Sequence, residues 1–188
     1  LAAAGVDHTV GRESNATYGE SRNGVGNWER MFGQPVDPYV RPGVPSSGLI
    51  DHVSATAPGP AGSADDSVMA YNYRLCITKN RSNQIPFTQP PGYREAEFEV
   101  LARLSEHLVA ARADHRPPFN YYLTPVPLPN GKYDLNTGAH VSTDYVGASK
   151  AYPNASPEDR RSIAQEHERY TKALLYFLQT SPRIPDHI

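Results

Sequence analysis

The sequence predicts an α+β fold, with a small mixed or antiparallel sheet, two long amphipathic helices and extensive loops. Three observations support this. One segment alternates apolar and polar residues with the period of a strand, and two segments repeat apolar residues every three or four positions. The 18 prolines among 188 residues indicate a loop-rich chain. This length and a hydrophobic fraction of 38% suffice for one domain with a core.

The helix predicted over 157–179 has clear start and stop signals. Ser156 is a favourable N-cap, Pro157 suits the first helical position, and the two acidic residues that follow favour the positive end of the helix dipole. Ser181-Pro182 ends the helix. Its inward stripe consists of Ile163, His167, Tyr170, Leu174, Phe177 and Leu178. On this stripe, His167 is either a core histidine with one hydrogen bond or part of a pocket wall.

A second helix is predicted over 94–112 and a strand over 68–78. The helix turns inward Phe98, Leu101, Leu104, Leu108 and Val109. In the strand, tyrosine and aliphatic residues occupy one face, while Asn72 and Arg74 point together from the other. Shorter extended pieces are predicted at 8–12 and 139–146. Long loops, of a kind that is usually functional or laid over a larger neighbour, are predicted at 35–45, 57–66, 85–92 and 116–131.

Charge and motif content exclude several classes of protein. A net charge of -2 argues against nucleic acid as a partner. No apolar run approaches the roughly 20 residues that cross a bilayer, so we expect no membrane span. The single Cys76 excludes an internal disulfide, and the seven histidines show no helical metal-ligand pair, so we expect no metal site. The chain contains no Gly-x-Gly-x-x-Gly turn, P-loop or nucleophile elbow.

Two arginines stand in polar clusters, Arg12 within 11–20 and Arg74 at the end of Tyr71-Asn-Tyr-Arg74. An arginine in mid-strand must be paired or face a polar cavity, because burying an unpaired charge costs several kcal/mol. Arg74 is therefore either a partner for an anion or carbonyl group or one half of a structural salt bridge. The corresponding alternative for Arg12 is a solvated loop.

A third polar cluster spans 129–145 and is rich in donors, acceptors and glycine. Gly131 and Gly138 permit tight turns or a close backbone approach to a ligand. Side chains able to bond a polar heterocycle or a sugar are Asn136, Thr137, Ser142, Thr143 and Asp144. Turn chemistry favours the same residue types, so both interpretations remain open.

Five stretches, which together touch nearly the whole chain, carry a family resemblance. They are AGVDHTVGRESNATYGES (4–21), PSSGLI (45–50), MAYNYRLCITKNRSNQIPF (69–87), PLPNGKYDLNTGAHVSTDYVGAS (127–149) and QEHERYTKALLYFLQTSPRIPDHI (165–188). In this order they resemble bacterial FAD-dependent oxidoreductases of glutathione-reductase type, whose members are often labelled putative xanthan lyases. The set is specific as a whole, whereas each stretch alone is weak.

The resemblance implies a division of labour between this chain and further polypeptide. In the family, a Gly-rich strand–turn–helix that binds flavin precedes the region matched here. We therefore expect 1–188 to be a single internal fragment, mainly the substrate or cap domain of a two-domain flavoprotein. Its partner is the FAD-binding domain of the same chain. The parent is expected to be an enzyme, and the fragment alone to be inactive and to hold FAD weakly, because the pyrophosphate-binding segment is absent.

The expected role is to cover the flavin ring and to position a small-molecule or saccharide substrate for hydride transfer. Candidate catalytic residues are Arg74, Asp144 and His140, the last standing where relatives often carry phenylalanine. Candidate cofactor-binding residues are Arg12, Asn136, Thr137, Gly138, Ser142 and Thr143. Tyr71 and Tyr73 are candidate walls. These roles require Arg74, Asn136 and 142–144 to converge on one concave wall.

Two other classes of function remain open. A polysaccharide lyase or hydrolase, which the family label suggests, needs acidic or basic groups across a cleft, with Glu13, Glu20 and Asp144 as candidates. A non-catalytic carbohydrate-binding module would use the 12 tyrosines and Trp28 as a stacking surface.

Overall fold

The longest helix, α3 (Pro157–Thr180), begins at the predicted residue. In the computed structural model, which describes residues 4–26, 36–136 and 140–188, the backbone N–H of Asp159 donates to the Ser156 hydroxyl at 3.1 Å. In the predicted inward stripe, Ile163 is half-buried and the residues from His167 onward are buried. The prediction of this helix is confirmed, because every signal that specified it is local in sequence.

The second predicted helix is present in two parts. A 3-10 helix, Glu95–Phe98, leads into α2 (Glu99–Ala110). The predicted inward residues Phe98, Leu101, Leu104 and Leu108 are buried, and Val109 is half-buried. Together with buried side chains of α3 they form the core, in which the rings of Phe98 and Phe177 lie 5.3 Å apart.

Three antiparallel strands form one sheet in the order β1-β3-β2. They are β1 (Leu75–Thr78), β2 (Thr124–Leu128) and β3 (Lys132–Asn136). A tight turn joins β2 to β3, with Asn130 at φ 64° and Gly131 at φ 67°. Leu135, opposite Leu75 and Pro125, is the buried residue through which the sheet joins the core. With the helices, this sheet makes the fold α+β, as predicted.

The predicted strand over 68–78 is too long. Ladder pairing of β1 ends at the pair Leu75–Leu135, and the residues before it are extended but make other bonds. The Tyr71 N–H donates to the Ser149 hydroxyl at 3.3 Å, and the Tyr73 hydroxyl donates to the Ala164 carbonyl at 3.1 Å. This segment therefore lies along α3 and the loop before it.

The two shorter extended predictions are wrong in detail. Over 8–12, the described ladder contact is the isolated bridge between Arg12 and Asp65. Residue 139 lies outside the described residues, and 140–146 runs as bends that join no strand within the described chain. Both segments are held by turns and side-chain bonds, which alternation of residue types does not reveal.

Short helical turns connect the main elements. They are α1 (Asn15–Tyr18) and the 3-10 helices Pro45–Ser47, Arg81–Asn83, Phe119–Tyr121, Pro129–Gly131 and Tyr152–Asn154. Within the described ranges, no helix is both long and apolar enough to cross a bilayer. No group of three potential metal-ligating side chains occurs among these residues either.

Candidate active site

A cavity of about 530 Å³ opens where loop 36–54, the first turn of α2, loop 140–146 and α3 meet. Its apolar wall includes Val36, Val53, Val100, Val141 and Val146. Its polar lining comes from His52, Ser54, His140, Ser142 and Asp144, and two tyrosines close one side. A mostly apolar cleft with a few polar groups is the usual form of a small-molecule site.

The tyrosine wall is a stacked pair. The rings of Tyr145 and Tyr170 lie 4.0 Å apart with an angle of 5° between their planes. The Tyr170 hydroxyl donates to the Ser142 carbonyl at 2.9 Å, which ties loop 140–146 to α3. Burial raises the pKa of both phenols, so each remains protonated at neutral pH. The wall is therefore planar, fixed and uncharged.

Behind this wall lies a buried charge pair. Glu97 is 3% exposed and receives two hydrogen bonds from the Arg169 guanidinium, at 2.9 and 2.6 Å. The hydrogen bonds from Arg169 to Glu166, and after them these bonds to Glu97, raise the pKa of Arg169. A bidentate arginine is the partner that makes a buried carboxylate tolerable.

His52 connects the charge pair to the cavity. Its Nε2 lies 3.3 Å from Glu97 Oε1, and its ring meets Tyr145 edge-on at 5.4 Å. The backbone of His52 is left-handed, with φ 63°, in a turn closed by a hydrogen bond from Val53 N–H to the Ile50 carbonyl. Sequence reasoning missed His52, because Glu97 is 45 residues away and no motif marks the turn.

Three of the predicted site residues line this cavity: His140, Ser142 and Asp144. The Asp144 carboxylate accepts a hydrogen bond from the Asn72 amide, and its backbone N–H donates to the Ser142 hydroxyl at 3.1 Å. Thr143, between them, is 1% exposed and packs inward.

The structure does not bring the two predicted arginines to this cavity. Arg74 forms a two-pronged ion pair with Asp134 of β3, with its Nε 3.1 Å from Oδ1 and its side chain 60% exposed. This is the salt bridge considered for it from the sequence. Arg12 pairs with Asp65, whose pKa the guanidinium holds well below its usual range. The predicted convergence of Arg74 with 142–144 is therefore not observed.

The remaining predicted residues stand at the end of β3. Asn136 is the last residue of that strand, and its backbone lies opposite Thr124. Thr137 and Gly138 lie outside the described residues, as does Trp28. Of the acidic candidates for a lyase or hydrolase, Asp144 lines the cavity, whereas Glu13 and Glu20 do not.

A second groove of about 310 Å³ lies between the segment 71–73 and α3. Tyr71, Tyr73 and Tyr152 line it together with Asn72, whose amide bonds Asp144. His167 also lines it. Its Nδ1–H donates to the Ile163 carbonyl at 2.8 Å, which leaves Nε2 to accept from the Ser149 hydroxyl at 3.1 Å. Both interpretations of His167, as a satisfied core histidine and as part of a wall, therefore hold.

The sequence model of the FAD dependent oxidoreductase family matches residues 1–185, nearly the whole chain. This chain belongs to that family. Comparison with curated proteins and comparison with solved structures each gave no match. Membership of this family supports a role as a flavoprotein oxidoreductase, in agreement with the resemblance found in the sequence.

The cavity fits one part of FAD better than another. Its volume of about 530 Å³ and its stacked tyrosine wall suit a flat heteroaromatic ring or an organic substrate. A pyrophosphate group requires cationic side chains or a helix N-terminus. The described lining residues include neither arginine nor lysine, and the 3-10 helix before α2 already occupies the Glu99 N–H with the Ala96 carbonyl, so the cavity suits the ring end of the cofactor better.

Proposed function

We propose that these 188 residues form the substrate-facing part, mainly the cap domain, of a glutathione-reductase-type FAD-dependent oxidoreductase. In this proposal the chain covers the flavin ring and holds an organic substrate for hydride transfer. The observation that carries the proposal is the cavity between loops 36–54 and 140–146, with a planar aromatic wall and five other polar side chains. The nucleotide end of FAD is then held by polypeptide outside these residues.

The lining of the cavity favours a neutral organic substrate. Ser142 supplies a hydroxyl, and His52 and His140 supply imidazoles. Asp144 supplies a carboxylate, which would repel an anion, and no lining arginine or lysine offsets it among the described residues. A hydroxyl group is the kind of substrate feature that these acceptors can bind.

FAD, when bound, supplies the acceptor for the hydride. The residues of this chain would do the rest. The apolar valines exclude water, the tyrosine pair offers a flat contact surface, and Ser142 and Asp144 orient polar groups of the substrate. The chemistry thus depends on how closely the cavity holds the substrate against the ring.

The test uses the full-length protein and one pair of variants. We expect the wild type to show the absorption bands of oxidised flavin, and a panel of alcohols and sugars to bleach them without oxygen. Val53 is a half-buried lining residue, so Val53→Trp fills the cavity and is expected to slow bleaching about 100-fold.

The matched control is Val126→Trp, on a β2 residue that is 47% exposed and outside the cavity. We expect it to bleach at the wild-type rate. A colourless full-length protein, or a Val53→Trp variant that bleaches normally, would contradict the proposal.

A second candidate is a saccharide-binding surface in the groove of Tyr71, Tyr73 and Tyr152. Tyr71 is 48% and Tyr73 is 40% exposed, and Asn72 lines the same groove. Exposed tyrosines beside polar groups are suited to stacking on sugar rings. Oligosaccharide binding by the 188-residue chain without flavin, lost in Tyr71→Ala, would favour this candidate.

A further inference from the structure

His52 has a backbone conformation that a histidine rarely adopts. Its φ of 63° belongs to the left-handed region, which costs a residue with a Cβ about 1–2 kcal/mol relative to the right-handed one. Strain of this kind persists where the surroundings fix the residue, and it is common at functional sites. Here it turns the imidazole into the cavity wall, where the ring lies against Tyr145 and Tyr170.

The protonation of the ring follows from its partner. Glu97 is an acceptor, so in the neutral imidazole the proton lies on Nε2, the atom 3.3 Å from Glu97 Oε1. Nδ1 is then the unprotonated, basic nitrogen. Within the described part of the chain, Nδ1 of His52 makes no hydrogen bond. No described residue engages this basic nitrogen, and it belongs to a side chain that lines the cavity.

The carboxylate beside the ring is itself held in place. Glu97 is held in place by both prongs of Arg169, so it can orient the imidazole without moving. Its carboxylate lies 3.3 Å from Nε2 of the ring, and Arg169 also donates to Glu166 at 2.7 Å. A buried carboxylate beside a histidine fixes its tautomer and stabilises the imidazolium once it forms.

We propose that His52 is an acid–base residue of this cavity for a substrate that carries a hydroxyl group. The substrate O–H bond breaks, an N–H bond forms at Nδ1, and the electron pair of the broken bond stays on the substrate oxygen. Glu97 is the positioning residue that holds the imidazole. The inference rests on the proposed function, because oxidation at a hydroxyl-bearing carbon must release that proton.

The first test requires no substrate. Diethyl pyrocarbonate acylates unprotonated imidazole nitrogens, and peptide mapping by mass spectrometry assigns each modified histidine. In the FAD-loaded full-length protein we expect His52 to react faster than His115, although both are exposed. His115 is a suitable reference because it is also left-handed, at φ 51°, and its Nδ1 bonds the Val109 carbonyl.

Two carboxylate variants separate orientation from general electrostatics. Glu97→Gln is expected to remove the advantage of His52 over His115. Glu166→Gln removes a carboxylate that also binds Arg169 but leaves the contact between His52 and Glu97, so the advantage is expected to remain. An unreactive His52, or equal reactivity in wild type and Glu97→Gln, overturns the proposal.

The second test measures flavin bleaching by the most effective alcohol of the panel. His52→Asn removes the imidazole and keeps a residue that tolerates the left-handed conformation. We expect it to retain flavin and the wild-type melting temperature but to bleach about 100-fold more slowly, the usual loss of a general base. His115→Asn is the matched control and should bleach normally.

The two proposals fail in different ways. A wild type that no alcohol bleaches contradicts the proposed function, and the acylation rates then decide whether His52 has the predicted basic nitrogen. A wild type that bleaches together with a His52→Asn variant of equal rate contradicts the role of His52 alone. A Glu97→Gln variant that does not fold leaves the decision to His52→Asn.

Discussion

At the scale of single residues, the ion pair of Glu97 and Arg169 is the most deeply buried charge interaction described in the chain. The Glu97 side chain is 4% and that of Arg169 25% exposed, and the two are 72 residues apart in sequence. Removing one partner of such a pair leaves an uncompensated charge, which costs far more than the pair itself contributes. The pair therefore supports His52 only while both members are present.

Arg169→Met is expected to destabilise the chain by about 3–5 kcal/mol, because it leaves Glu97 buried without its cation. Urea unfolding followed by circular dichroism measures the loss. Arg94→Met is the control, since Arg94 pairs with Asp51 across side chains that are 63% and 42% exposed. Its cost should stay within about 1 kcal/mol, as for surface pairs. Equal losses in both variants would refute the buried-pair argument.

The three predicted site residues that line the cavity share one property. His140, Ser142 and Asp144 lie in one short segment, so a cluster visible in the sequence remains a cluster in space. Arg74 was expected at the same wall, but its partner Asp134 comes from a strand 60 residues away. Whether an arginine is paired with a carboxylate depends on such distant residues, which sequence periodicity does not reveal.

At the scale of elements, the helices and the presence of a small sheet were predictable, whereas the extents of the strands were not, and β2 lies within 116–131, which was predicted as a loop. Capping residues and apolar spacing define α3 within its own segment, so its start agrees to the residue. The extent of β1 depends instead on where β3 pairs with it, and that pairing covers four of the residues over 68–78. Alternation of apolar and polar residues predicted the extended conformation, but the length of the paired strand could be known only from its partner, β3.

The loop around Gly24 and Gly62 is a second element without a sequence signal. The Val25 N–H donates to the Ser63 carbonyl at 2.9 Å, and the Gly62 N–H donates to the Val25 carbonyl at 2.8 Å. A Cβ on Gly24 would lie 2.5 Å from the Ser63 carbonyl oxygen, so glycine permits this approach of two backbones.

Gly24→Ala is therefore expected to destabilise the chain clearly more than Gly43→Ala, as measured by thermal unfolding. The two glycines have nearly the same conformation, with φ +71° and +73°. At either position, a left-handed alanine therefore lowers the free energy of unfolding by about 1–2 kcal/mol. Only Gly24 adds a backbone collision, since a Cβ on Gly43 meets nothing within 4 Å. A similar loss of stability in the two variants would show that the backbones at Gly24 and Ser63 can move apart without destabilising the chain.

At the scale of the whole molecule, the cavity belongs to no single element. Loop 36–54, α2, loop 140–146 and α3 each supply part of its wall, and the charge pair behind it joins the helical segment at Glu97 to α3. A cavity assembled from segments this far apart forms only when the chain is folded. The 188 residues can therefore be tested for ring binding as one unit.

The last prediction concerns which end of FAD this unit binds. The described lining has an aromatic wall for the ring but no arginine or lysine for a phosphate group. We therefore expect the 188-residue chain to bind FAD no more tightly than riboflavin. Equilibrium dialysis with each flavin measures the ratio, and Val53→Trp, which fills the cavity, should reduce any binding of both equally. FAD binding tighter than riboflavin by about tenfold, or 1.4 kcal/mol, would mean that these residues hold the pyrophosphate themselves. The division of the cofactor between this chain and further polypeptide would then be wrong, whatever the chemistry of the cavity.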